Sequence, residues 1–203
     1  MNKALLVIDV QNDFYSQGSL PVPDAEEINV VINKLLASED YKLVVASQDW
    51  HPQEHLSFAV NLDREPFARY SNEQGIGPLL WPVHCRQGSQ GAEFHPEINS
   101  ENFDYIIRKG TDLEVDSYSA FRENNGKDLG LAALLKGLGI EEIDVCGLAL
   151  DFCVKFTALD GIEAGFKVNL LEKATKGVGA NPGDIYQALE ELEEAGVNIK
   201  EGV

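Results

Sequence analysis

Four apolar runs in this chain end at residues able to do chemistry. Asp9 closes the run at 4–8, and Asp49 with His51 follows a valine-rich run at 42–48. Lys109 follows the run at 104–108, and Cys153 lies just beyond the run at 142–148. A thiol attacks as its thiolate, so it needs an acceptor for its proton and a cation beside it; Asp9 and Lys109 supply both, and no histidine is required. Cys153 falls where a strand should turn into a helix, and the positive helix N-terminus lowers a thiol pKa. The competing reading is a buried, inert cysteine, which suits Cys146 inside its apolar run and, less clearly, Cys85. Asp49 and His51 are two apart in an extended segment and so point to one side. His84, in Trp81-Pro82-Val83-His84, would complete a carboxylate–imidazole set suited to zinc, iron or manganese. His55 stands between a fourth ligand and a polar lid residue, and His95 reads as structural. Phe14, Trp81 and Tyr118 are either core aromatics or the walls of a slot for a flat heteroaromatic ring.

These residues converge only if the runs that carry them are neighbouring strands. The segments at 4–9, 42–48, 104–108, 142–148, 167–171 and 197–199 read as strands, the first of them buried on both faces. Helical spacing runs through 25–37, 129–138, 153–164 and 182–195, with Gly139, Gly165 and Gly196 placed to stop helices. Strands interleaved with helices imply an α/β fold of the three-layer, doubly wound kind, a six-stranded and mostly parallel sheet with helices on both faces. Ligands of such sheets bind beyond the carboxyl ends of the strands, where all four candidates fall. The stretch at about 52–102 lacks clear periodicity and is too long for an idle connector, so it reads as a functional insertion within a single domain spanning 1–203. Gly88-Ser89-Gln90-Gly91 has no phosphate-binding spacing and reads as a turn, and the glutamates at 190, 191, 193 and 194 read as a solvated helix face.

Composition narrows the partners. The formal net charge of −18, from 34 acidic and 16 basic residues, would repel nucleic-acid phosphates and anionic lipid. The apolar run after Lys3 is too short for a signal-peptide core or a membrane span. Three cysteines, an odd number, argue against a disulfide scaffold. A cytoplasmic location with no nucleic-acid or membrane partner is expected, and the sequence is neutral between a monomer and a homo-oligomer.

Six segments together resemble the nicotinamidase/pyrazinamidase branch of the isochorismatase-like cysteine hydrolases. They are Asp9-Val10-Gln11-Asn12-Asp13-Phe14; Asp49-Trp50-His51-Pro52 with His55 and Ser57-Phe58; Trp81-Pro82-Val83-His84-Cys85; Lys109-Gly110; Asp116-Ser117-Tyr118-Ser119-Ala120-Phe121; and Gly147-Leu148-Ala149-Leu150-Asp151-Phe152-Cys153-Val154. The resemblance spans nearly the whole chain. It implies Cys153 as nucleophile, Asp9 as proton acceptor and donor, and Lys109 as the adjacent cation. It further implies Asp49, His51 and His84 as ligands of one divalent ion, zinc before manganese or iron, with His55 a ligand in some relatives only. Phe14, Trp81 and Tyr118 match the pocket aromatics. A cis peptide before Ala149 would aim the N–H groups of Ala149 and Cys153 at an oxyanion. Leu150 departs from the threonine common in relatives.

The activity this implies is hydrolysis of a small aromatic amide, nicotinamide or pyrazinamide, through a thioester, in NAD salvage. Three alternatives stand beside it: an amidase of the same superfamily for carbamoyl or ureido compounds, a metal hydrolase using metal-bound water, and a binding protein that keeps the fold.

Overall fold

The computed structural model describes residues 2–202. Its centre is a six-stranded sheet in the order β3-β2-β1-β4-β5-β6, formed by β1 (Lys3–Ile8), β2 (Leu43–Asp49), β3 (Tyr105–Lys109), β4 (Glu142–Leu148), β5 (Lys167–Lys176) and β6 (Asn198–Lys200). Every pairing is parallel, so the antiparallel pair that "mostly" allowed for does not occur among the described strands. β1, β2 and β4 are almost wholly buried, which is why they read as continuous apolar runs and not as alternating ones. β3 is one of the two edge strands and exposes Tyr105 and Ile106.

The strand order reverses between β1 and β4. Right-handed crossovers leaving that point in both directions put helices on both faces. Those helices are α1 (Asn29–Leu36), α2 (Leu131–Gly137), α3 (Lys155–Glu163) and α4 (Asp184–Glu194). The structure shortens several expected elements at their starts. Residues Ala25–Ile28 form a 3-10 turn before α1, and Leu150–Val154 form a π turn before α3. Cys153 therefore lies inside a wide turn, not at the first residue of an α-helix. β5 continues to Lys176, five residues past the expected end at Leu171, with a register shift against β4 between Val145 and Gly147. The added residues pair with β4 at Gly147 and Leu148, and the Thr175 hydroxyl donates back to Leu171 C=O at 2.9 Å.

Between β2 and β3 the chain forms short 3-10 turns at Ala59–Leu62, Gln90–Ala92 and Ser100–Asn102. Ala59, Ile76 and Leu80 make a small apolar cluster of their own there. Trp81 and Cys85 from the same stretch join the main core, which anchors the segment over the carboxyl edge of the sheet. Among the described residues, no helix is long and apolar enough to cross a membrane.

Candidate active site

Four adjacent strands deliver the site. Asp9 follows β1 with a positive φ of 48°, a conformation that aspartate tolerates better than most residues. Ser47 in β2 fixes it: the Ser47 hydroxyl donates to Asp9 Oδ1 at 2.7 Å and accepts the Asp9 N–H at 3.2 Å. Lys109 ends β3, is fully buried, and brings Nζ to 2.9 Å from Asp9 Oδ2 and 3.3 Å from Cys153 Sγ. The approach to Asp9 Oδ2 is close but poorly aligned, and that oxygen has no well-formed hydrogen bond. Nζ also donates to Ser117 C=O at 3.0 Å and to Asp49 Oδ1. The structure thus brings Asp9, Lys109 and Cys153 into one buried cluster.

Charge follows burial here. Burial pushes the Asp9 carboxyl up, with Lys109 pulling the other way. Burial likewise pushes the Cys153 thiol well above its ordinary range, against the pull of Lys109. The Cys153 residue is only 7 % exposed, so loss of water around the sulfur opposes the thiolate that the turn N-terminus was expected to favour. Burial disfavours charge on Lys109 too, but Asp49 and Asp9 hold it protonated. The thiol thus lies beside an ammonium and a buried carboxyl group, the two partners that a thiol nucleophile would require.

Asp49, His51 and His84 are buried, and one donor atom of each lies within 4.8 Å of the others. His51 Nδ1 faces Gly110 C=O at 2.9 Å and His84 Nδ1 faces Pro82 C=O at 2.9 Å. A carbonyl only accepts, so Nδ1 carries hydrogen in both rings and Nε2 is the nitrogen that each ring turns towards Asp49. Those Nε2 atoms stand 3.7 and 3.8 Å from the two oxygens of Asp49. Ligands of one tetrahedral zinc at ordinary bond lengths stand about 3.4 Å apart, so the donor set fits a divalent ion. Burial alone would raise Asp49, but Lys109 and His51 hold it well below the carboxylate range. Gln11, unassigned by sequence, clamps the Asp49 peptide with its side-chain amide, accepting the N–H and donating to the C=O, both at 2.8 Å.

His55 behaves differently. It is fully buried, which removes the lid reading. Its Nδ1 accepts from Ser57 N–H at 3.2 Å and meets Ser57 Oγ at 2.7 Å, while Nε2 donates to Val115 C=O at 3.0 Å. Both nitrogens thus have protein partners in this arrangement, while donor atoms of His51, His55 and Asp116 also lie within 4.8 Å of one another. Burial, then His51, pushes its pKa down to about 3, so it is neutral.

The cavity above Cys153 is walled by Phe14, Trp81 and Tyr118, with Leu20, Val22, Ala149, Phe152 and Val178 completing it. Trp81 Nε1 donates to Tyr118 Oη at 3.0 Å, and Phe152 meets Trp81 edge-on at 5.0 Å between centroids. The Leu148–Ala149 peptide is cis. Leu150 is buried away from this lining. Asp116 is the main residue that sequence reading passed over. It is buried in the cavity wall, one oxygen has no partner, and burial raises its pKa. It stands two residues before Tyr118, in a segment that the sequence marked without giving Asp116 a role of its own.

The remaining residues hold structural places. Cys146 and Cys85 are buried, and burial raises both thiols. His95 stacks on Tyr15 at 4.0 Å. Ser89 caps the Gln90–Ala92 turn. Of the α4 glutamates, Glu191 is tied to Lys155 at 2.7 Å, and the others face solvent.

A parallel sheet that gathers an aspartate, a lysine and a cysteine at its switch-point edge defines an α/β hydrolytic fold, and the Isochorismatase domain model matches residues 3–200: the chain belongs to the isochorismatase family. Among characterised relatives it is similar to the nicotinamidase of Acinetobacter baylyi, 42% identical over 97% of this chain and 91% of that protein. The solved Acinetobacter baumanii nicotinamidase/pyrazinamidase superposes with a TM-score of 0.92 at 44% identity, covering 98% of this chain and 95% of that one. The Pyrococcus horikoshii pyrazinamidase, solved in complex with zinc, gives 0.81 at 35% identity, with both chains covered in full (100%).

Proposed function

We propose that this protein hydrolyses nicotinamide to nicotinate and ammonia, with pyrazinamide as a second aromatic amide, and serves NAD salvage in the cytoplasm as a single hydrolase domain. The observation that carries the reading is the 3.3 Å approach of Lys109 Nζ to Cys153 Sγ, with Asp9 alongside, beneath a slot of aromatic rings. Asp9 takes the thiol proton, and the Cys153 thiolate, paired with Lys109, adds to the amide carbonyl. The N–H groups of Ala149 and Cys153 face the oxyanion, each such donor being worth on the order of 3 kcal/mol. The C–N bond breaks, Asp9 returns the proton to the departing ammonia, and a thioester remains on Sγ. Water, deprotonated by Asp9, adds to the thioester; nicotinate leaves and the thiol is restored. Asp49, His51 and His84 would hold one divalent ion, zinc before manganese or iron; when bound, it supplies a Lewis-acid site for the pyridine nitrogen. His55 serves as a buried support for the His51 ring, 4.4 Å away between centroids. The acidic surface supports the absence of nucleic-acid and membrane partners.

Ammonia release from nicotinamide by purified protein, with and without prior thiol alkylation, tests this. Release that alkylation abolishes supports the substrate and the cysteine mechanism together. Release that survives alkylation overturns the cysteine mechanism. No release from metal-loaded protein overturns the substrate.

A further inference from the structure

Val178 lines the catalytic cavity, and together with Phe152 it also lines a broader groove on the outside of the molecule. These two side chains form the wall between the slot and the groove. Val178 lies in the loop that follows β5, with no helix or strand to hold it. What holds it is Asp151. One carboxylate oxygen accepts the Val178 N–H and the other accepts the Gly179 N–H, both at 2.9 Å. Asp151 is itself buried, two residues before Cys153 in the π turn. The loop is pressed close at this point: a Cβ at Gly177 would stand 3.0 Å from Asp151 Oδ1 and would collide with Ile185 Cδ1. One carboxylate thus ties the wall of the slot to the turn that carries the nucleophile.

We infer that Asp151 is a positioning residue for substrate size: by pinning the Val178–Gly179 backbone it sets the width of the slot opposite the aromatic rings. It touches neither substrate nor reacting atoms. The inference rests on the aromatic-amide reading for its substrates but not for its mechanical part. A charge-assisted pair of N–H bonds is stronger than two neutral ones. An asparagine in place of Asp151 would offer one acceptor and turn an N–H donor towards the second amide, and an alanine would offer none.

Three proteins, wild type, Asp151→Asn and Asp151→Ala, are compared in two measurements. Amide hydrogen exchange at Val178 and Gly179 reads the anchor directly. Steady-state kinetics with nicotinamide and 5-methylnicotinamide reads the slot. A methyl group in a fitted pocket changes specificity about tenfold or more. The expected result is faster exchange at both amides, fastest in the alanine variant, intermediate in the asparagine variant and slowest in wild type. In the same order, KM for nicotinamide rises more than kcat falls, and wild-type preference for nicotinamide over its 5-methyl analogue shrinks about tenfold. Val178→Ala, which leaves the anchor in place, should relax the same preference while exchange at Gly179 stays slow. If exchange accelerates but the preference holds, or if both amides stay protected in Asp151→Ala, the inference is overturned. Wild-type protein that releases no ammonia from nicotinamide defeats the substrate reading instead, and the exchange data then decide the anchor alone.

Discussion

Gly110→Ala should cost the protein its metal site through one methyl group. Gly110 follows Lys109 with φ at +61°, and its carbonyl orients the His51 ring. A Cβ built there would lie 2.6 Å from His51 Nδ1 and closer still to Cε1. Two costs follow. The left-handed backbone is worth about 1 kcal/mol against alanine, and forcing a methyl into packed space adds about 1–3 kcal/mol. The sum is about 2–4 kcal/mol. A loss of 1 kcal/mol lowers Tm by about 2–4 °C in a chain of this size. Gly139 provides the control, since its φ is +70° and a Cβ there meets nothing within 4 Å. Gly139→Ala should therefore show the backbone cost alone, a fall of about 3 °C, with metal binding intact. Gly110→Ala should fall about twice as far or more and, because the oriented His51 ring is displaced, should bind zinc about 10–100-fold more weakly. Calorimetric zinc titration and thermal unfolding of the chelator-treated proteins measure both. Wild-type zinc affinity in Gly110→Ala, with a Tm no lower than that of Gly139→Ala, would refute the reasoning.

Cys153→Ala should lose turnover by at least about a thousandfold while keeping zinc stoichiometry, because no ligand in the Asp49, His51 and His84 set is touched; appreciable residual ammonia release removes Cys153 as nucleophile. Lys109→Met should destabilise the fold by about 3–5 kcal/mol in urea titrations, since it leaves the buried carboxylates of Asp9 and Asp49 without their cation. A change under about 1 kcal/mol would contradict the ion pairing. His55, held neutral with a folded pKa of about 3, makes stability pH-dependent. Below the unfolded value of about 6.5 the unfolded chain takes up a proton that the native ring refuses, so this contribution is complete above that pH and is lost as pH falls towards 3. At pH 5 the loss is about 2 kcal/mol, and His55→Asn should show a correspondingly shallower decline between pH 7 and 5 than wild type. Equal slopes would mean that His55 titrates normally.

Residue order alone was enough to place the six strands, apart from the far end of β5, and the residues that close β1, β2 and β3. Burial on both faces writes β1, β2 and β4 as continuous apolar runs, and a polar residue closing such a run marks the carboxyl edge where a doubly wound sheet binds ligands. Asp9, Asp49, Lys109 and Cys153 were legible for that reason, and His84 only through the motif around it. Everything that depends on distance and desolvation waited for the fold. Burial pushes the Cys153 thiol up against the pull of Lys109, and no spacing rule reports burial at a single atom. His55 and His84 look alike in sequence. They part because the partners that occupy both nitrogens of His55, Ser57 and Val115, include one that lies 60 residues away. Asp116, Gln11 and the Asp151 clamp on Val178 escaped for the same reason: a buried carboxylate or amide acquires its role from backbone N–H and C=O groups that only tertiary folding brings to it.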